Sequence, residues 1–146
     1  MQFSKIIGQE EVKAHLIDTV KGQRISHAQL FLGPEGSGSL ALAIAYAQYI
    51  LCSDKQNGDA CGKCPSCLKV QGYSHPDLHY SFPIHLAKST RTSDDVFVEW
   101  KKQLEASLYF GLQDWYSALG NDNKQGTIGT DESQKIVKNI KEAREI

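Results

Sequence analysis

The chain has 146 residues, 40% of them apolar and 23% charged, which suits one soluble globular domain with a hydrophobic core. A formal net charge of −1 excludes overall charge as a driver of strong nucleic-acid binding, while leaving room for a locally basic face.

The start Met-Gln-Phe-Ser-Lys carries no charged-then-apolar leader and runs straight into a patterned segment. In "QEEVKAHLIDTVKGQ", Val12, Leu16, Ile17 and Val20 recur at helical spacing, with acids in the first turn and Gly22 near the end. This predicts an amphipathic helix over Glu10 to Lys21. "AQLFLG" is a short apolar run ending in glycine, as expected of a buried strand. The glycine loop "GPEGSGSL" follows, and then an alanine-rich stretch, Ser39 to Leu51, apolar on nearly every face and therefore expected as a buried helix. The run "LALAIAYAQYILC" is too short and too interrupted to span a bilayer, so a cytosolic protein with no membrane contact is expected.

Cys52, Cys61, Cys64 and Cys67 are the only cysteines, spaced C-x8-C-x2-C-x2-C. Zinc takes four soft ligands in a tetrahedron, and C-x2-C turns bring two thiolates onto one ion without strain. Four thiolates fill the coordination sphere, so a structural zinc site with no open catalytic position is expected, in preference to four reduced core cysteines. His75 and His79 are then ordinary hydrogen-bonding histidines. Within the cysteine segment Pro65 to Val70 is expected as a short helical turn.

"HPDLHYSFP" alternates Leu78, Tyr80 and Phe82, a second strand closed by Pro83, with a polar loop from His85 to about Thr92. "SDDVFVEWKKQLEASLYF" predicts a helix capped by Ser93, with Phe97, Trp100, Leu104 and Leu108 on one face. "GLQDWYSALG" predicts a short helix, and "GNDNKQGTIGTDES" an irregular, mobile, turn-rich segment. "DESQKIVKNIKEAREI" places Ile136, Val137, Ile140 and Ala143 on one stripe of a helix running to Ile146. Trp100, Trp115 and Tyr116 invite a partner-binding role, but packing of the local helices is the preferred reading.

The glycine loop resembles the nucleotide pattern G-x-x-x-x-G-K-[ST] with two substitutions. Gly33, Pro34, Glu35, Gly36, Ser37 and Gly38 keep the backbone path, whereas Ser39 stands where the lysine belongs and Leu40 where the hydroxyl belongs. Phosphate could still rest on the loop amides. In-line phosphoryl transfer, however, would lose its main electrostatic stabilisation and its magnesium ligand.

Together, "IIGQEEVKAHL", "HAQLFLGPEGSG", "ALAIAYAQYILC", the cysteine spacing and "HPDLHYSFP" resemble the N-terminal ATPase-type module of bacterial DNA polymerase III clamp-loader subunits, the gamma/tau and delta-prime group. The resemblance covers about residues 3 to 84 and resumes near 128 to 140. It implies an α/β fold: a partial P-loop ATPase domain of the AAA+ type with an inserted four-cysteine zinc module and extra helices. It further implies that Ile6, Ile7, Gly8 and Gln9 lie beside an adenine pocket, that His27 precedes the phosphate-loop strand, and that Cys52, Cys61, Cys64 and Cys67 hold zinc. Residues 1–84 then form the nucleotide-binding module with its zinc insert at 52–67, residues 85–127 a helical insertion, and residues 128–146 a further helix of the module.

The missing lysine and hydroxyl favour the delta-prime, stator-like subunit. That implies weak or absent ATP and ADP binding, no catalytic residues and no intrinsic ATPase. Its partners would be the other clamp-loader subunits and, through the complex, the sliding clamp and primed DNA. The chain is expected to be an N-terminal fragment that stops before the strand carrying the acidic magnesium motif. Its strands would lack neighbours, so it is expected to dimerise, exchange elements or cover the gap with its extra helices. Two alternatives stand beside this reading: an active gamma/tau-type ATPase, and a zinc-dependent nucleic-acid module unrelated to clamp loading.

Overall fold

The computed structural model describes residues 1–144, with side chains through Glu142. The chain divides into two compact units, Met1–Leu78 and His79–Ile146.

In the first unit, helix α1 spans Glu10–Lys21, α2 Ser39–Leu51 and α3 Pro65–Gln71, preceded by a 3-10 turn at Phe3–Lys5. The first two occupy the bounds that apolar spacing predicts, and α3 runs one residue longer. Glu10 and Glu11 in the first turn of α1 and Lys21 in the last complement the helix dipole. Helix α2 is the centre of this unit and packs against α1, α3 and the N-terminal turn. Ala41 and Ala45 are fully buried and let neighbouring backbone approach, while Leu42, Ile44, Tyr46 and Tyr49 fill the space beside them. Each such large side chain stabilises the fold by roughly 1.5–3 kcal/mol. Phe3 tilts onto Tyr49 with ring centroids 5.5 Å apart, which fixes the N-terminal turn to α2.

In the second unit a 3-10 turn, Ser93–Val96, leads into α4, Phe97–Ala106, followed by α5, Leu112–Ala118, and α6, Thr130–Arg144. The cap expected at Ser93 is instead at Thr92. The Asp95 carboxylate accepts the amides of Thr92 at 2.9 Å and Arg91 at 2.8 Å, and the Ser93 hydroxyl turns inward. An aromatic core sits behind these helices. Phe82 stacks on Trp100 with centroids 4.1 Å apart, and Trp115 meets both rings edge-on at 5.1 and 4.9 Å. Trp115 is 1% exposed and donates its Nε1 hydrogen to the Pro83 carbonyl at 2.7 Å, so the aromatic residues pack the local helices. Thr127 pairs with Ile84 through two backbone hydrogen bonds, which ties the turn-rich segment to this core. The expected stripe on α6 includes Ala143, whose side chain lies outside the described residues, as do Glu145 and Ile146 entirely. Val137 and Ile140 are about half exposed.

The α/β sheet is not formed among the described residues, which hold only three isolated antiparallel bridges, Gln56–Asp59, Ile84–Thr127 and Ala87–Thr90. The strand expected at 28–33 pairs with nothing, and Leu30 and Leu32 are 84% and 87% exposed instead of buried. The strand expected at 75–83 is also unladdered; of its alternating residues Phe82 is buried, while Leu78 and Tyr80 are half-buried. A strand is held by the backbone groups of its neighbours. Apolar alternation sets which side chains face inward, but it does not supply the partner. No helix among the described residues is long and apolar enough to cross a membrane.

Candidate metal centre and phosphate loop

The four cysteine side chains converge. All four Sγ atoms lie within 4.8 Å of one another. Cys52 and Cys61 are 3.7 Å apart, Cys61 and Cys67 3.9 Å, and Cys52 and Cys64 4.0 Å. A tetrahedron with metal–sulfur bonds of about 2.3 Å has edges of about 3.8 Å, so one zinc ion fits between them. The separations are also about twice a disulfide bond, and all four thiols are free.

Local sequence builds this geometry. Cys52 leaves the C-terminus of α2, and Cys64 caps α3, with Pro65 at the first helical position. The amides of Cys61, Cys64 and Cys67 donate to the sulfurs of Cys52, Cys61 and Cys64 at 3.3, 3.3 and 3.4 Å. Such N–H···S bonds stabilise thiolates and so prepare the sulfurs as ligands. The Ser53 hydroxyl, then the Cys67 amide, hold the Cys64 thiol down at about 5. Burial, reinforced by the neighbouring Cys64, pushes the Cys67 thiol up to about 12. A cation between them would supply the charge that keeps the buried sulfur deprotonated. The donor set and its spacing are compatible with a structural zinc site. His75 and His79 are not part of it; His75 Nδ1 accepts the Asp77 amide at 3.2 Å.

The glycine loop leads directly into α2. Ser37 donates its amide to Pro34 at 3.1 Å, and Gly36 and Gly38 have φ of 74° and 85°. Gly38 caps α2 in the left-handed region, where a side chain would be strained. A cleft of about 660 Å³ opens beside the loop. Gly33, Pro34, Ser37, Gly38 and Ser39 line it from one side, and Val12, His15, Leu16 and Thr19 from α1 line it from another. Of the four adenine-side candidates only Gln9 lines this cleft; Ile6 is buried, Ile7 is 80% exposed, and Gly8 forms a turn at φ 65°. Glu35, Gly36 and Leu40 are likewise outside the lining.

Sequence reasoning missed two contributors. Asn57 and Gly58 both have positive φ, 53° and 76°, in a tight turn closed by paired hydrogen bonds between Gln56 and Asp59. Asn-Gly is the dipeptide for this turn and was a readable signal. Lys13, 6% exposed in an otherwise apolar helix face, donates to the Ile6 carbonyl at 2.7 Å and to Glu10 at 2.8 Å. Nothing in its spacing distinguishes it from a solvated lysine.

The chain is similar to known proteins over part of its length. DNA polymerase III subunit gamma/tau of Mycobacterium bovis is 37% identical over 68 residues, covering 47% of this chain and 12% of that protein. Subunit delta' of Bacillus subtilis is 33% identical over 75 residues, covering 51% of this chain and 22% of that protein. Subunit delta' of Pseudomonas aeruginosa is 36% identical over 66 residues, covering 45% and 20%. The match thus spans less than a quarter of each of these relatives. No solved structure matches the chain. A family model described as DNA polymerase III, delta subunit, matches residues 8–143. Spanning both compact units, that match places the chain in the DNA polymerase III clamp-loader subunit family.

Proposed function

We propose that the chain acts as a non-hydrolysing, stator-like component of a DNA polymerase III clamp loader, contributing protein contacts as the complex sets a sliding clamp on primed DNA in the cytoplasm. The observation that carries this reading is the composition of the loop at the start of α2. Gly36 and Gly38 turn the chain into α2 at positive φ, but Ser39 would bring no cation to the outer phosphates of a nucleotide and Leu40 no oxygen to magnesium. Assembly, not phosphoryl transfer, is what remains for such a module. Zinc on Cys52, Cys61, Cys64 and Cys67 would hold the module's shape, since four thiolates leave no position for substrate.

A nucleic-acid role for the metal module draws less support. Lys55, the cation beside Cys52, is committed to the carbonyls of Cys52 and Ile50 at 2.6 and 3.2 Å.

Titration with labelled ATP tests the proposal. Weak or no binding and background hydrolysis are expected. The double substitution Ser39→Lys, Leu40→Thr should raise ATP affinity by about tenfold or more if the backbone cradle is intact. Hydrolysis by the unaltered chain above background would overturn the stator reading in favour of a gamma/tau-type ATPase.

A further inference from the structure

The turn Gln56-Asn57-Gly58-Asp59 lies between the first and second cysteine ligands, and its last residue faces the N-terminal segment. One Asp59 carboxylate oxygen accepts the amide of Phe3 at 2.9 Å, and the other accepts the amide of Ser4 at 3.0 Å. The first oxygen also accepts the amide of Ala60 at 2.8 Å. Gln2 Nε2 donates to the Ala60 carbonyl at 2.7 Å. The contacts join a loop whose next ligand is Cys61 to a segment more than fifty residues away in sequence.

The segment is held at its other end as well. Ile6 donates its amide to the Phe3 carbonyl at 3.0 Å, and its own carbonyl accepts Lys13 Nζ from α1 at 2.7 Å. Gly8 and Gln9 then turn into α1, and Gln9 lines the cleft beside the glycine loop. A continuous series of short polar contacts therefore runs from the cysteine loop through Phe3 and Ile6 to the α1 wall of the cleft. We infer that Asp59 is a positioning residue that latches the Phe3–Gln9 segment to the metal loop, so that ligation by Cys61 sets the order of that segment.

The physical basis is where the loop gets its rigidity. The 52–61 connection contains a tight turn but no helix or ladder of its own. Ligation fixes Cys61, and with it the carboxylate two residues earlier. Without the ion, Asp59 loses a fixed position, and the amides of Phe3 and Ser4 lose a preorganised acceptor. The latch rests on the metal reading of the cysteines and is independent of any role in clamp loading.

Hydrogen exchange on the full zinc-loaded chain, before and after chelation, tests the latch alongside Asp59→Ala and the milder Asp59→Asn. In the unaltered chain chelation should speed exchange of the Phe3 and Ser4 amides by about tenfold while interior α1 amides such as Leu16 stay protected. In Asp59→Ala those two amides should already exchange fast, and chelation should add less than about twofold, the non-additivity expected of one coupled unit. Asp59→Asn, which keeps one acceptor oxygen, should fall between. Unchanged exchange at Phe3 and Ser4 on chelation, or equal rates in the unaltered and Asp59→Ala chains, would overturn the latch. So would loss of α1 protection in step with Phe3 and Ser4, since the metal would then act on global stability. Metal analysis separates the two levels: a chain without zinc overturns the metal reading and the latch together, whereas a zinc-loaded chain with unresponsive amides overturns the latch alone.

Discussion

Ser93 and Glu132 are joined twice, the amide of Ser93 donating to the Glu132 carboxylate at 2.8 Å and its hydroxyl at 2.7 Å. The Ser81 hydroxyl adds a third donor at 2.5 Å and Lys135 a cation at 2.9 Å. Glu132 is 1% exposed, and this network attaches the first turn of α6 to the residues before α4. Burial alone would raise the pKa of such a carboxyl. The donors from Ser81, Ser93 and Lys135 outweigh it and hold the group at about 2, below its ordinary 4.5.

The pH dependence follows from that sign. A depressed carboxyl contributes stability that is fully present above about 4.5 and is lost as pH falls through about 2. At 1.36 kcal/mol per pH unit the contribution is at most about 3 kcal/mol. Glu132→Gln should destabilise the second unit by about 2–3 kcal/mol at neutral pH, because Lys135 and the two serines lose their ionised partner. Urea denaturation from pH 7 down to pH 2 should show the gap between the two proteins closing in that window.

Metal content gives a second prediction. About one zinc per chain is expected, and cobalt substitution should give the absorption of a tetrahedral thiolate site. Ligation requires deprotonated sulfur, and the Cys67 thiol stands near 12 without the ion. Loading should therefore release protons, and zinc retention should weaken as pH falls. Cys67→Ser should lower both zinc content and the thermal midpoint. A folded chain that holds no zinc would overturn the assignment.

Trp115 distinguishes packing from partner binding. Trp115→Ala should cost about 3–5 kcal/mol, since it empties the centre of the Phe82–Trp100 cluster. Thermal unfolding checks this directly. An unchanged midpoint with weakened subunit association would assign the ring to an interface instead.

Leu30 and Leu32 offer the opposite case. Both are largely exposed on a segment with no strand partner among the described residues, so replacing them with Asn should change the unfolding free energy by no more than about 0.5 kcal/mol. Their exposure predicts concentration-dependent self-association that the double substitution reduces. Size-exclusion chromatography with light scattering reads both states, and an unaltered chain that stays monomeric at every concentration would contradict the expectation.

Much of the cysteine cluster is legible in the sequence. The C-x2-C repeats dictate local turns, and local turns are set by neighbouring residues, so Cys61, Cys64 and Cys67 converge as spacing implies. Helix α1 and α2 boundaries were legible for the same reason: apolar period, first-turn acids and flanking glycines act within a few residues. The capping error at Ser93 shows the limit. Its hydroxyl was claimed by Glu132, thirty-nine residues later, and no local rule weighs that competition.

The sequence by itself therefore determined the helices, the thiolate quartet and which side chains the glycine loop carries, because each depends on short-range geometry or on which atoms a side chain holds. Only the tertiary structure decided that the 28–33 run has no sheet among the described residues, that Asp59 grips the N-terminal segment, and that Glu132 is buried yet ionised. Those outcomes depend on partners distant in sequence, where strand pairing, desolvation and hydrogen bonding compete and where residue spacing carries no information about the winner.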